Sequence, residues 1–288
     1  MLAELVRTTT ADGLRLDGAF RAAGEGQVRR QPTVIVLHGV GGNFYQSSTF
    51  EPLLPKLQAA GYPTLTVNTR GHDSVFGAQL GNVRKRLGAA YEIVDDCRQD
   101  ILAWIKFLAG RGHERVILLG HSLGAIKAVY AQANDRHANV VAVIAVSPPR
   151  LSYTAFTNSP ESSLFLESMS IARQLAKEGA GDELFTAKFP FPLLITADSY
   201  IDKYGPAERY NILEFTSQLT CPTLFTYGSK ELAQGGIAFA GLPELLNELP
   251  AHALREIITI DAADHFYTGV QEQLAERVGE WLKAKGLD

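Results

Sequence analysis

Arg115-Val116-Ile117-Leu118-Leu119-Gly120-His121-Ser122-Leu123-Gly124 runs from an unbroken apolar segment straight into a serine flanked by glycines two residues away on either side. The apolar segment has no polar alternation, so a strand built from it must be buried on both faces, as in the middle of a parallel sheet. Gly-x-Ser-x-Gly after such a strand and at the start of a helix is a sharp strand-to-helix turn. The glycines remove the Cβ atoms that would clash in so tight a turn, and the serine takes a strained backbone conformation. Its oxygen then projects above the sheet. The amide of Leu123 falls at a helix N-terminus, where an N–H and the helix dipole can stabilise an oxyanion. Ser122 is therefore the candidate nucleophile. His121 is a poor base for it, because adjacent side chains on such a turn point apart; it is expected to pack beneath the elbow.

The same strand pattern recurs at Thr33–His38, Tyr62–Val67, Val140–Val146, Pro222–Gly228 and Glu256–Ile260. Between the strands lie segments of helical spacing. Ile93, Cys97, Ile101, Ile105 and Leu108 share one helix face, and Val270, Leu274, Val278 and Leu282 share another. Alternating strand and helix predict an α/β fold, a mainly parallel central sheet with helices on both faces. Ahead of it, Leu5–Thr10 and Leu14–Ala22 flank the turn Ala11-Asp12-Gly13 and read as an antiparallel hairpin, followed by a polar, Gly-rich loop at Gly24–Gln31. The alternation breaks between Val146 and Pro222. That stretch is rich in aromatics, among them Phe156, Phe165, Phe185, Phe189, Phe191, Tyr200 and Tyr204. So long a structureless loop is improbable in a compact domain. Residues 149–214 are expected to form a mainly helical cap inserted between core segments 1–148 and 215–288. Most of its aromatics should form the cap's own core and a minority should line a pocket.

Composition removes several function classes. The net charge of −4 comes with scattered basic residues, so no nucleic-acid surface is indicated. No apolar run reaches the length of a membrane span, and no secretory leader is visible at Met1–Thr10. The chain is read as cytoplasmic. Cys97 and Cys221 have no neighbouring Cys or His at metal-ligand spacing. No metal or organic cofactor is expected.

A second glycine-rich element, His38-Gly39-Val40-Gly41-Gly42, follows the strand Thr33–Leu37. It fits neither phosphate-binding pattern. Its backbone can instead bring an N–H up to the serine; Val40 is the candidate donor and Gly41 the alternative. His38 is expected to hold this loop. Taken together, these pieces resemble the α/β-hydrolase superfamily over most of the chain. Asn68-Thr69-Arg70-Gly71-His72-Asp73-Ser74 is similar to its Arg-Gly-x-Gly-x-Ser loop, with Asp73 in place of a glycine. His38–Tyr45 combined with Asn68–Asp73 resembles an esterase-like branch, some members of which hydrolyse esters of secondary metabolites such as siderophores.

The resemblance implies a triad in the order serine, acid, histidine. His265, after the last strand, is the candidate base; an imidazole titrates near neutral pH. The acid is implied after the seventh strand, where Gly228-Ser229-Lys230-Glu231 puts Glu231 in place of the usual aspartate. Asp202 and Asp261 remain rivals, and no acid directly follows the sixth strand, which leads into Ser147-Pro148-Pro149. Arg70 and His72 are expected to fix turns, with binding of an acidic substrate group as the other reading. The expected activity is carboxylic-ester hydrolysis of a small molecule through an acyl-enzyme on Ser122. Thioesterase, amidase, carbon–carbon bond hydrolase and acyltransferase chemistry would use the same residues. A ligand receptor built on this fold is the alternative outside enzymes.

Overall fold

The computed structural model describes residues 2–23, 31–46, 49–250 and 254–287. Most of the loop expected at Gly24–Gln31 lies outside them. The central sheet has eight strands among these residues: β1 (Glu4–Thr9), β2 (Arg15–Arg21), β3 (Thr33–Leu37), β4 (Thr64–Val67), β5 (Val116–His121), β6 (Val140–Val146), β7 (Thr223–Gly228) and β8 (Arg255–Ile260). Their spatial order is β1-β2-β4-β3-β5-β6-β7-β8. β1 and β2 form the expected antiparallel hairpin, and β2 also runs antiparallel to β4. Every pairing from β4 onward is parallel. The all-apolar strands take the centre: β3 and β5 are buried along their whole length, whereas β1 has mostly exposed positions.

Helices α1 (Leu53–Ala59), α2 (Cys97–Ala109) and α3 (Leu123–Asp135) follow successive strands of the first half. Side chains alternate across a strand, so the sheet feeds two cores. Ile35, Leu37 and Leu118 join α2 and α3 on one face, with Ile101, Trp104 and Ile126. Val34, Val36, Ile117 and Leu119 join α1 and the C-terminal helix on the other, with Leu57, Leu274 and Val278.

Residues 149–214 fold as α4 (Tyr153–Thr157), α5 (Ser162–Lys177), α6 (Ala197–Tyr204) and α7 (Ile212–Phe215), plus a two-stranded hairpin of Leu184–Ala187 and Leu193–Thr196. The helical expectation thus misses one small sheet. Phe156, Phe165 and Phe189 meet edge to face, and Tyr200 and Tyr204 pack beside them, all buried. β7 is followed by α8 (Ser229–Gln234) and α9 (Leu242–Glu248), and β8 by α10 (Gln271–Ala284). A second small hairpin, Phe76–Leu80 with Val83–Leu87, was not anticipated. Its second strand carries Arg84, Lys85 and Arg86 and is almost wholly exposed, so it lacks the alternation that marks a half-buried strand. No helix among the described residues is long and apolar enough to cross a membrane.

Candidate active site

Ser122 lies between β5 and α3 with φ 57° and ψ −123°, the strained turn expected of it. Both glycines are sterically required. A Cβ on Gly120 would stand 2.2 Å from the carbonyl oxygen of Gly124, and one on Gly124 would stand 2.4 Å from that of Leu37. The elbow is thus packed against the end of β3. Leu123 is the first residue of α3, so its amide has no partner within the helix.

The loop after β3 closes over the serine. A Cβ on Gly39 would come within 3.3 Å of the Ser122 Cβ. Two chambers meet at Ser122 and His265: a larger one of about 510 Å³ and a smaller one of about 230 Å³. Val40 lines both chambers and Gly41 neither, which favours Val40 over Gly41 as an oxyanion donor. His38 holds the loop as expected. The Thr69 amide donates to its Nε2 at 3.1 Å, so Nδ1 carries the proton and donates to the Gly39 carbonyl at 2.8 Å. The two stretches that carried the esterase-like resemblance are bonded to each other. Asn68 Oδ1 accepts from the Phe44 amide at 2.9 Å, and Asn43 Nδ2 donates to Asp73 Oδ1 at 2.9 Å. Asp73, standing where the similar loop has glycine, takes a positive φ of 54°.

His265 follows β8, and its Nδ1 lies 2.5 Å from Glu231 Oε1. A buried carboxylate accepts there, so Nδ1 carries the proton and Nε2 is left free to accept one. Glu231 is only 4% exposed. Its other oxygen, Oε2, accepts from Ser147 Oγ at 2.7 Å and from the Gly228 amide at 3.2 Å, at the start of α8. Ser147 is in turn bonded to the Tyr267 hydroxyl at 3.0 Å, which is bonded to Thr226 Oγ1 at 2.9 Å. The carboxylate is thereby fixed from the ends of β6 and β7 and from the segment after His265. The rivals are engaged elsewhere. Asp202 accepts from Tyr210, Arg209 and the Val94 amide, and Asp261 accepts from Ser229.

One expectation is extended, and the turn-fixing reading of Arg70 and His72 holds over the substrate-binding one. His121 does more than pack: its ring lies against that of His265, and its Nε2 donates to the His265 carbonyl at 2.7 Å, tying the elbow to the histidine loop. Arg70 has no place in either chamber. It is buried among Asp100, Asp12 and Asp96, and so fixes the loop after β4. His72 hydrogen-bonds Asp73 and stacks on Phe76, also outside both chambers. The sequence reading missed Ser147, Tyr267 and Lys203. Each stood near a position under scrutiny: Ser147 at the end of β6, Tyr267 two residues after His265, and Lys203 beside Asp202.

Burial holds His38 and His121 at about 3, aided by Lys127 beside the first and His265 beside the second. Unfolding releases imidazoles that titrate near 6.5 and take up protons that the folded chain refuses. Stability should therefore fall as pH drops from about 6.5 toward 3, by up to about 1.4 kcal/mol per pH unit for each histidine. Urea midpoints measured from pH 7 to 5 should decline, and less steeply in His121→Gln. A flat profile would contradict the buried neutral state.

Among the described residues, no three His, Cys, Asp or Glu side chains are grouped to hold a metal ion. Cys97 and Cys221 are buried free thiols.

The model of the alpha/beta hydrolase family matches residues 34–282. No curated protein matches the chain. Solved structures share its fold over nearly the full length. Est1E from Butyrivibrio proteoclasticus with ferulic acid bound is 17% identical, with a TM-score of 0.69 over 98% of this chain and 100% of the other. The alpha/beta hydrolase GrgF from Penicillium sp. sh18 is 16% identical, with a TM-score of 0.71 over 99% of both chains. An esterase of Pyrococcus furiosus is 20% identical, with a TM-score of 0.60 over 98% of this chain and 91% of the other.

Proposed function

Because the chain belongs to the alpha/beta hydrolase family, we propose that it is a serine hydrolase cleaving small carboxylic esters, with Ser122, His265 and Glu231 as its triad. One arrangement carries this reading. A serine at a strained elbow shares two chambers with a histidine whose far nitrogen is bonded to a buried carboxylate.

In this mechanism Ser122 Oγ attacks the ester carbonyl carbon and its proton passes to His265 Nε2. The carbonyl oxygen gathers negative charge and is received by the amides of Val40 and Leu123, the second reinforced by the α3 dipole. Glu231 steadies the imidazolium through its bond to Nδ1. Collapse of the intermediate breaks the carbon–oxygen bond, and His265 returns the proton to the departing alcohol. Water then gives its proton to His265 and attacks the acyl-enzyme; collapse releases the acid and restores Ser122. Residues 149–214 act as a cap: Phe156, Phe191 and Tyr204 from this segment wall the smaller chamber and exclude water from it. Two buried free thiols suit a reducing compartment, and we assign the chain to the cytoplasm.

A panel of p-nitrophenyl esters, thioesters and anilides of graded acyl length tests the reading. Turnover of the short esters, with anilides slower by orders of magnitude, is the expected outcome. Cleavage confined to thioesters or anilides would overturn it.

A further inference from the structure

The smaller chamber has apolar walls from Leu151, Phe156 and Phe239, with one charged residue among them, Lys203 of α6. Lys203 is 2% exposed, and its Nζ makes no hydrogen bond among the described residues. Its nearest carboxylate oxygen is Glu92 Oε2, 3.7 Å away and beyond hydrogen-bond reach. Glu92 is engaged more closely by Lys127, at 2.5 Å from Oε1. Asp202, the other acid near Lys203, is matched by Arg209 at 2.9 Å. Two buried ammonium groups thus share one buried carboxylate. The Lys203 side chain has no exposed surface, so its ammonium stands just behind the chamber wall. Burying a charge without a full partner is expensive, so turning that flexible side chain into the chamber to meet an anion gains a desolvated, charge-assisted hydrogen bond.

We propose that the smaller chamber receives an acyl group ending in a carboxylate, and that Lys203 selects it. The substrate class is then a half-ester of a dicarboxylic acid, an inference that rests on the ester-hydrolase reading above. The acyl half is assigned to this chamber because it must stay bound through both half-reactions, and the tighter, apolar-walled space suits it. The larger chamber then receives the alcohol, which must leave before water attacks. Arg70 and His72, the other cationic candidates for holding an acidic group, line neither chamber, whereas Lys203 lines one with Ser122.

The test uses Lys203→Met, which keeps the side chain's length and leaves Lys127 paired with Glu92. Wild type should favour the p-nitrophenyl half-esters of succinate, glutarate or adipate over p-nitrophenyl butyrate and valerate. Lys203→Met should lower kcat/KM for the best half-ester by about 10- to 100-fold, mainly through KM, while the neutral esters keep theirs. Thermal midpoints of the two proteins should agree within a few degrees. Equal losses on charged and neutral esters, or a lowered midpoint with unchanged preference, would mean that Lys203 only supports the fold and would overturn the proposal. Calorimetry of monomethyl glutarate and methyl valerate on Ser122→Ala and on Ser122→Ala/Lys203→Met separates this idea from the catalytic one. Tighter binding of the charged ester, lost with Lys203, is expected even if neither ester is cleaved. Equal binding of the two esters would sink the carboxylate site, whatever the triad does.

Discussion

Ser122→Ala should lose three to six decades of kcat on its best ester and keep its fold. The bonds that shape the elbow are made by the backbone. The Ser122 amide donates to the Val146 carbonyl at 2.9 Å, and the Ser122 carbonyl accepts from the amides of Ala125 and Ile126 at 3.0 and 3.2 Å. Alanine retains all of these, so the urea midpoint should move little. What disappears is the attacking oxygen. The Val40 and Leu123 amides and both chambers stay in place, so a residual rate above that in water is expected. Activity above one-tenth of wild type would refute Ser122 as nucleophile.

Glu231→Gln is the second large effect, expected at two to four decades in kcat. The substitution keeps the side chain's size but removes the charge that stabilises the imidazolium, and it can turn an amide N–H toward His265 Nδ1. That would favour the tautomer with its proton on Nε2, which cannot accept from Ser122. Oε2 also serves Ser147 and the Gly228 amide. A glutamine that keeps its oxygen there points its amide at Nδ1, which the Nε2–H tautomer accepts, so activity should fall far more than stability, which should drop by about 1 kcal/mol or less. Glu231→Asp should keep part of the activity if the α8 start can shift to close the gap. Asp202→Asn and Asp261→Asn, assayed together with it, should stay within about tenfold of wild type. A near-normal Glu231→Gln beside a dead Asp202 or Asp261 variant would relocate the acid.

Much of the sheet was legible because its strands are buried on both faces and leave continuous apolar runs, as at Val34–Leu37 and Val140–Val146. The elbow was legible because its geometry demands glycine at 120 and 124. Glu231 rested on resemblance alone, since nothing local distinguishes an acid capping α8 from a surface glutamate beside Lys230. In the hairpin at Phe76–Leu87 only Phe76, Ala78 and Leu80 alternate, too short a run beside a charged, exposed second strand, and the small sheet of Leu184–Thr196 gave no alternating pattern. Lys203 was invisible for a different reason. Its neighbours Glu92 and Lys127 are far away in sequence, and a buried charge cluster assembled from α6, α3 and the residues just before α2 has no local signature. Ser147 was passed over because it is a hydroxyl where an acid was sought; its importance lies in bonding the acid that comes from β7.

The covalent step proposed at Ser122 can be read directly. The protein is treated with a fluorophosphonate, sampled over time for intact mass and ester turnover, then digested and mapped. One adduct per chain on the Gly120–Gly124 peptide at Ser122, with turnover lost in step and labelling slowed sharply in Glu231→Gln and His265→Ala, is the predicted result. Full labelling elsewhere, or turnover that persists in protein modified at Ser122, would contradict it.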